Sequence, residues 1–361
     1  MKALITIVIP SHGRSSLIGA LIKSIRRVEQ IDNTLVEIIL VDSTPMPERE
    51  MIIELCDQYN VKYLECVNSV SEKRNLGAQV ADTEYVMFVD SDCELEPGCL
   101  TSHLMLLDNQ KVDASCGVLY FTGHKSFIFR SIEKSGILAA FESHDNTEIL
   151  SWAPTANIVL RRSSFLHIQF DPLFGPPRYG GEDVDFGLRF TDQGYKMIRN
   201  SNAKVRHSTL TWNRFVDNYS RFKAWGAADA HLVNRYKDKS VVDMPSPVLM
   251  ILMFALLTLG IAISHPFALL TGMGGFIVYL FIASGFPRGK GILSSVFAQF
   301  VYLVLDYARI NEAIKQGLWG STIRRLKFSS TQISDEWEPL MYSSIASHFL
   351  IIYALIMCWL Y

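Results

Sequence analysis

The sequence predicts an α/β domain with a mostly parallel central sheet, followed by an α-helical region of low polarity. Two observations lead to this prediction. In the first half of the chain, short apolar runs alternate with segments of helical spacing, which is the pattern of βαβ units. After Pro245, long stretches carry almost no charge. The chain has 361 residues, which is enough for one sizeable domain and an appendage.

Four apolar runs are predicted strands, because strands buried on both faces of a parallel sheet read as continuous apolar runs. Their sequences are LITIVI, VEIILV, VKYLEC and YVMFV. Ser15 or Ser16 is predicted to cap the first helix, and Ser71 the third. Ligands of such open sheets bind beyond the carboxyl ends of the strands. The polar segments PSHGR, DSTP and DSDCE, which follow the first, second and fourth runs, therefore form the candidate site.

Two acidic residues, Asp90 and Asp92, directly follow the fourth run. Alternate side chains of extended backbone point the same way, so both carboxylates lie on one side and Ser91 on the other. Paired carboxylate oxygens suit Mg²⁺ or Mn²⁺, which keeps waters and substrate phosphates as its remaining ligands. The alternative is an acidic turn that caps a helix starting near Pro97.

A second acidic group, Gly-Glu-Asp-x-Asp, opens a helix predicted from about Glu182 to Gln193. Acidic residues in a first helical turn are stabilised by the helix dipole by roughly 0.3 to 1 kcal/mol, which is a sufficient structural explanation for them. Two preceding glycines let a ligand approach closely, and this favours a functional role for Glu182 and Asp183.

These motifs resemble, in their order, those of the family 2 glycosyltransferases of GT-A fold, over roughly Leu4 to His207. The resemblance rests on VIPSHGR, IILVDST, KRNLGAQVADTEYVMFVDSDCELEPG and the segment GGEDVDFGLRF. It implies a GT-A domain, Rossmann-like, and a nucleotide-sugar donor, for which a UDP-sugar is favoured over GDP and dTDP sugars. Where the family often has Asp-Gly-Ser after its second strand, this chain has Asp42, Ser43 and Thr44.

The resemblance also implies the site residues. Asp42 would contact the nucleotide base, whereas Asp90 and Asp92 would bind the ribose, the diphosphate and Mn²⁺ or Mg²⁺. His207 matches a histidine near the metal, although a structural role is an equal alternative. The residues assigned to the donor by this resemblance are Pro10, Ser11, Arg14, Asp42, Arg74, Asn75, Asp90, Ser91 and Asp92.

Sugar transfer needs a base that takes the acceptor proton and a cation that stabilises the departing diphosphate. By resemblance the base is Glu182 or Asp183, and we favour Asp183. One base opposite the leaving group gives inversion at the anomeric carbon, unlike the two-step retaining route. Trp152 and Tyr179 are candidates for contact with the acceptor sugar.

The C-terminal part is predicted to be a membrane region. Its apolar runs, near the roughly 17 to 25 residues of a membrane helix, give a hairpin at 247–264 and 266–284 and a last span at 343–361. Residues 292–308 are predicted to span or to lie in the interface. The alternative is a set of core helices in a soluble domain. The domains are accordingly 1–210 catalytic, 211–246 interfacial and 247–361 transmembrane.

The segment 211–246 interleaves aromatic and basic residues, which suits a helix at a membrane surface and favours a lipid-linked acceptor. Between Lys196 and Ser240 there are ten Lys or Arg against three Asp. Because such charges favour the cytoplasmic side, we expect an integral membrane protein of a bacterial or archaeal cell membrane with its catalytic domain in the cytoplasm. The net charge of −2 and the lack of a second basic stretch argue against nucleic acid as a partner.

Three other functions fit parts of the sequence. A processive polysaccharide synthase usually has more spans and a QxxRW-type motif, which this chain lacks. A nucleotidyltransferase of similar fold would have a Gly-rich phosphate loop where this chain has PSHGRSS. A non-catalytic membrane scaffold that retains the fold is the third. The six cysteines have no CxxC pair, which argues against a zinc site or a disulfide framework.

Overall fold

The computed structural model describes residues 3–108, 111–135, 137–138, 149–176, 180–242, 246–283, 292–326 and 334–361. The chain forms two compact units. The first comprises Met1–His124 and Ala140–Thr211, and the second comprises Lys125–Ala139 and Trp212–Tyr361.

Within the described residues, the first unit is built on a nine-stranded sheet with the order β3-β2-β1-β4-β8-β6-β9-β5, in which β7 also pairs with β9. The strands are β1 (Ile5–Ser11), β2 (Val36–Asp42), β3 (Lys62–Glu65), β4 (Tyr85–Val89), β5 (Cys93–Leu95), β6 (Ala114–Thr122), β7 (Ile149–Leu150), β8 (Asn157–Arg161) and β9 (Met197–Ser208). In the second unit, β10 (Ser240–Val242) pairs with β11 (Arg324–Leu326).

The helices, in chain order, are α1 (Ser15–Ile31), α2 (Glu48–Gln58), α3 (Val70–Val80), α4 (Cys99–Leu107), α5 (Phe127–Ser135), α6 (Arg162–Ile168), α7 (Glu182–Asp192), α8 (Phe215–Arg235), α9 (Pro247–Ala262), α10 (Ala268–Ala283), α11 (Ile292–Lys315) and α12 (Ser334–Leu360). Helix α5 and helices α8 to α12 belong to the second unit.

The sheet is mixed, so the prediction of a mostly parallel sheet is wrong in this respect. Strands β1 to β4 pair in parallel, as do β6 and β9. The pairs β4–β8, β6–β8, β5–β9 and β7–β9 are antiparallel. The reason is physical: the apolar run of β8 indicates burial on both faces, but burial does not depend on strand direction.

The parallel strands bring the candidate site together at one edge of the sheet. Ser11 at the end of β1 pairs in register with Asp42 at the end of β2. Strand β4 lies on the other side of β1, with Phe88 opposite Val8, and Asp90 follows this strand directly. The polar residues after the first, second and fourth apolar runs are therefore neighbours, as the sequence predicts.

The helix starts differ from the predicted caps. Helix α3 is capped by Ser69, whose hydroxyl accepts a hydrogen bond from the Glu72 amide at 3.4 Å, and not by Ser71. Helix α1 begins after Arg14, whose φ of 68° is left-handed, and the Ser15 amide donates to the Glu48 carboxylate at 2.8 Å. The Glu48 carboxylate from α2 thus caps α1 in place of the predicted serine. A local sequence pattern does not reveal such a contact, because Glu48 is distant in sequence.

A buried polar network joins α4 to the antiparallel half of the sheet. His103 lies 2.8 Å from the Ser115 hydroxyl and 3.0 Å from the Asn157 side-chain oxygen. The Asn157 amide in turn donates to the carbonyl oxygens of Val118 and Ala203, on either side of the β6–β9 irregularity. Burial lowers the pKa of His103 to about 4, so the imidazole is neutral and serves the fold.

The thiols of the first unit are largely inert. Cys56, Cys93, Cys99 and Cys116 are buried. Burial raises the pKa of Cys56 and of Cys116 to about 12, which keeps both sulfurs protonated.

In the second unit, the predicted membrane spans are not supported. Within the described residues, no helix combines the length and the apolar character that crossing a bilayer requires. Helix α9 has 16 residues, or about 24 Å, whereas the hydrocarbon core is about 30 Å thick. The segment at 292–308 is part of the longer α11, which buries the charged Asp306 and Arg309. The last predicted span lies in α12, which begins with the acidic stretch SDEWE.

Helix α3 packs closely on β1 at Gly77, where an added Cβ would overlap with the Val8 side chain. We predict that Gly77→Ala lowers the free energy of unfolding by about 1 to 3 kcal/mol, since close-packed interiors accommodate extra atoms only with strain. The measurement is urea unfolding of the full chain.

The matched control is Gly19→Ala on α1, where the added Cβ would lie 3.6 Å from the Leu55 side chain, an ordinary contact. This variant is expected to be at least as stable as the wild type, because alanine favours a helix over glycine. Equal effects of the two substitutions would contradict the close approach at Gly77.

Candidate functional site

The centre of the candidate site is Arg74 on α3, which bridges two acidic residues from different elements. Its guanidinium donates to Asp90 at 2.9 Å and to Glu182 at 2.9 Å. The Arg74 side chain is only 3% exposed and lies over the Phe170 ring, 5.5 Å from the centroid. Burial opposes the charge, but Asp90 and Glu182 outweigh it and raise the pKa of Arg74. The two acids are thus needed to keep this buried cation stable.

Two glycines set the direction in which α7 enters the site. Gly180 and Gly181 have φ values of 156° and 79°, which side chains rarely adopt. They turn the chain so that Glu182 and Asp183 lie in the first turn of α7. Asp185 has a structural role instead, because it pairs with Arg189 at 2.7 Å and Arg189 donates to the carbonyl oxygens of Ile168 and Gln169.

Asp183 is half-buried beside Glu182, and one of its oxygens accepts a hydrogen bond from the Val184 amide at 2.8 Å. Burial and the charge of Glu182 raise the pKa of Asp183 to about 7. A carboxylate with this pKa accepts a proton efficiently near neutral pH. A raised pKa favours Asp183 over an ordinary carboxylate as a base near neutral pH, and its role as the general base stays a prediction.

The second acid of the DxD motif, Asp92, has its own set of partners. It is 7% exposed. One of its oxygens lies 3.3 Å from His207 Nε2, while the other accepts hydrogen bonds from Thr211 at 2.8 Å and from Arg14 at 3.3 Å. His207 reaches Asp92 because β5 and β9 pair with Cys93 opposite His207. Sequence reasoning missed Thr211, since it lies in a short 3-10 turn and follows no motif.

Asp92 and His207 fit a divalent cation. In the neutral tautomer in which His207 Nδ1 donates to the Ser208 carbonyl at 3.1 Å, Nε2 has a lone pair and lies 3.3 Å from the Asp92 oxygen. A carboxylate oxygen and an imidazole nitrogen aimed at one point are a usual donor pair for such an ion. Cys93 is close by, but thiolates are soft ligands that suit other metals, whereas carboxylates suit Mg²⁺ and Mn²⁺. Asp90, the other predicted ligand, is held by Arg74.

Asp42, predicted to contact the nucleotide base, is fully buried and already receives four hydrogen bonds. The hydroxyls of Ser11 and Thr44 donate to one oxygen, both at 2.6 Å. The Thr44 amide at 2.9 Å and the Tyr63 hydroxyl at 3.2 Å donate to the other. Ser43 and Thr44 stand where the family often has Gly and Ser, and Thr44 donates two of these four hydrogen bonds.

Lys73, next to Arg74 in sequence, was missed by sequence reasoning. Its ammonium donates to the Ser11 carbonyl at 2.6 Å and to the Asn68 side-chain oxygen at 3.3 Å. Burial lowers the pKa of Lys73 to about 8. This cation therefore lies at the ends of β1 and β3, beside the Asp42 cluster, where its proton is more easily lost than that of a solvated lysine.

The other residues predicted to bind the donor or the acceptor lie at different places around the site. Asn75 exchanges two hydrogen bonds with the backbone of Phe170, at 2.8 and 2.9 Å, and so fixes the segment under Arg74. Trp152 lies against α7, where an added Cβ on Gly187 would be 2.5 Å from the Trp152 backbone. Pro10 lies in β1 beside β2, and Ser91 is buried between the two acids of the DxD motif. Tyr179 lies outside the described residues.

Comparison with known proteins covers part of the segment that forms this site. Residues 6–168 match the model of the family described as Glycosyl transferase family 2. This segment runs from β1 to the end of α6 and contains Asp42, Arg74, Asp90 and Asp92, whereas the acids of α7 and His207 lie beyond it. The match supports the family resemblance of the first unit, with an α/β fold and a mixed sheet.

Among curated proteins, the chain is similar to the pre-mycofactocin glycosyltransferases of two Mycobacterium tuberculosis strains, CDC 1551 and H37Rv. It is 25% identical to each over 287 residues, which is 74% of this chain and 56% of each relative. The chain therefore spans just over half the length of these relatives. Among solved structures, the crystal structure of GalNAc-T7 with UDP, GalNAc and Mn²⁺ has 14% identity and a TM-score of 0.46, covering 64% of this chain and 50% of that one.

Proposed function

We propose that this protein is an inverting, metal-dependent glycosyltransferase that moves a sugar from a nucleotide diphosphate to an acceptor hydroxyl. The observation that carries the proposal is the bridge from Arg74 to Asp90 and Glu182. It joins the DxD end of β4, the donor side in the proposed reaction, to the turn that bears the candidate base Asp183. Arg74 therefore links the residues proposed to bind the donor to the turn that carries the proposed base.

On the donor side, Asp92 and His207 would hold the cation, with Asp90 close to the same ligand. A divalent ion there would neutralise charge on the departing diphosphate. The chain supplies further positive charge nearby through Arg14 and Arg74, whose guanidinium groups match phosphate oxygens in geometry. Lys73 lies beside Asp42, the residue assigned to the nucleotide base, and a UDP-sugar is the first donor to test.

On the acceptor side, Asp183 would take the proton from the attacking hydroxyl. Glu182 is the less suitable base because the Arg74 guanidinium already binds one of its oxygens at 2.9 Å. In this proposal Asp183 acts as the base and Glu182 forms no covalent bond to the sugar. The acceptor hydroxyl therefore displaces the diphosphate directly, and the configuration at the anomeric carbon inverts. For contact with the acceptor we propose Trp152, whose backbone packs on Gly187 of α7 and whose aromatic ring suits stacking on a sugar.

For the acceptor we propose a lipid-linked molecule, supported by the second unit. Its helices α9, α10 and α12 bury small residues and expose large apolar ones. Gly272 packs closely on Thr258, and Gly275 on Tyr353. On the outside, Trp359 of α12 is 84% exposed, and Ile263 and Phe267 in the link between α9 and α10 are 86% and 73% exposed. Small residues inside and large apolar residues outside are typical of helices that contact lipid. A protein held at a bilayer meets lipid-linked acceptors at high local concentration.

We first predict that UDP binds in the presence of Mn²⁺ and that EDTA or Asp92→Asn weakens this binding at least tenfold, because the substitution removes a charged ligand of the cation. Isothermal titration calorimetry with the full chain measures both effects. Asp108→Asn, which changes an exposed aspartate after α4, is the matched control and should bind as the wild type does. If neither EDTA nor Asp92→Asn changes the affinity for UDP, the proposed metal site is refuted.

A second prediction concerns pH. The rate of sugar transfer should fall as the pH is lowered through about 7, because Asp183 must be unprotonated to act as a base and its pKa is raised to about 7. Asp183→Asn should lower kcat by about 10² to 10⁴. The control Asp192→Asn changes an exposed residue at the other end of α7 and should leave kcat unchanged. A rate that stays constant down to pH 5 would contradict a base with a pKa near 7, and an unchanged kcat in Asp183→Asn would exclude Asp183 as the base.

A third prediction concerns the apolar surface. The full chain should co-sediment with phosphatidylcholine vesicles, and Phe267→Glu should weaken this binding about tenfold or more, since burial of such a side chain contributes roughly 1.5 to 3 kcal/mol. Met105→Glu, at a 71% exposed position of the first unit, is the control and should have no effect. Self-association without vesicles, detected by analytical ultracentrifugation, would show instead that a second copy covers this surface.

A further inference from the structure

The candidate cation site contains a positively charged group of the chain itself. Arg14 lies 3.3 Å from one oxygen of Asp92, the carboxylate assigned to the cation. That oxygen also accepts a hydrogen bond from Thr211, and the other oxygen faces His207. A guanidinium and a divalent cation cannot both bind the same carboxylate oxygen closely, because they repel each other. Arg14 is therefore a competitor for the position of the cation.

The backbone directs Arg14 to this place. Arg14 and the preceding Gly13 both adopt left-handed conformations, with φ values of 68° and 69°. For arginine this conformation is strained, and neighbouring contacts maintain it: the Gly13 amide donates to Thr44 at 2.6 Å and the Ser15 amide to Glu48 at 2.8 Å. Left-handed backbone in a non-glycine residue often marks a functional constraint. The strained turn thus serves to place the guanidinium on Asp92.

The two arginines of the site differ in their freedom to move. Arg74 is 3% exposed and is held by two carboxylates, so it is a fixed part of the fold. The Arg14 side chain is 47% exposed and, among the described residues, pairs with Asp92 alone, at the longer distance of 3.3 Å. The half-exposed guanidinium can leave Asp92 without the cost of a buried unpaired charge.

We propose that Arg14 is an exchangeable counter-ion. It neutralises Asp92 before the donor binds, leaves Asp92 when the cation arrives with the nucleotide diphosphate, and then binds the diphosphate oxygens. This inference rests on the proposed function and adds a residue that changes partner between the two states. In the bound state Arg14 stabilises the negative charge that develops on the leaving diphosphate.

The proposal predicts effects of opposite sign on two ligands. Without Arg14, Mn²⁺ alone should bind more tightly, because it no longer displaces a guanidinium from Asp92. In the same variant, UDP in the presence of Mn²⁺ should bind more weakly, because the diphosphate loses a cationic partner. A residue that only supports the loop would weaken both ligands together.

The experiment measures both affinities with the full chain. Free Mn²⁺ is titrated by electron paramagnetic resonance, and UDP is titrated by calorimetry at saturating Mn²⁺. Arg14→Gly is the main variant, because glycine readily adopts the left-handed backbone and the fold is retained. Arg14→Lys keeps the charge, and Arg27→Ala removes an exposed arginine from α1 as a control. We expect Arg14→Gly to bind Mn²⁺ several-fold more tightly and UDP about tenfold more weakly, Arg14→Lys to lie between, and Arg27→Ala to match the wild type.

Three outcomes would overturn the proposal. If Arg14→Gly leaves the Mn²⁺ affinity unchanged, Arg14 does not compete for Asp92. If it weakens both ligands, Arg14 has a supporting role only. In both cases the proposed function stands, provided that the wild type binds Mn²⁺ and UDP. If the wild type binds neither ligand while its melting curve shows a folded protein, the proposed function itself fails and the counter-ion exchange fails with it.

Discussion

The rest of the site depends on one buried arginine. Arg74 neutralises Asp90 after β4 and Glu182 at the start of α7, so the strand end and the helix start are held at a distance set by one guanidinium. Its own position is fixed from both sides. Helix α3 lies tightly on β1 at Gly77, and Asn75 binds the backbone of Phe170, whose ring faces Arg74. A shift of α3 would therefore displace the donor side and the base side together.

The acidic residues of the site fall into distinct electrostatic environments. Asp90 and Glu182 share a buried cation that does not leave. Asp92 has a mobile guanidinium and an imidazole as neighbours, and suits an exchangeable ion. Asp183 has a raised pKa and suits proton transfer. Carboxylates close in space thus acquire separate roles because their neighbours differ, although the side chains are chemically alike.

The parallel half of the sheet and the position of the DxD motif were predictable, because buried parallel strands give apolar runs and their ends share one edge of the sheet. The direction of β8 was not predictable, because an apolar run does not show whether a strand pairs in parallel or antiparallel with its neighbours. Thr211 and Lys73 were missed because each acts through a contact distant in sequence, Thr211 with Asp92 and Lys73 with Ser11. The predicted membrane spans are not supported within the described residues, because apolar composition alone does not give the length of a helix such as α9.

The hydrogen bonds of Asp42 have a consequence for the choice of nucleotide. Both oxygens of this fully buried carboxylate already accept hydrogen bonds from the chain, including those of Thr44 and Tyr63. A nucleobase that reaches Asp42 must replace one of these donors, so it exchanges one hydrogen bond for another and gains little net free energy. Discrimination between bases would then come from how well each base fits the space vacated by the displaced donor.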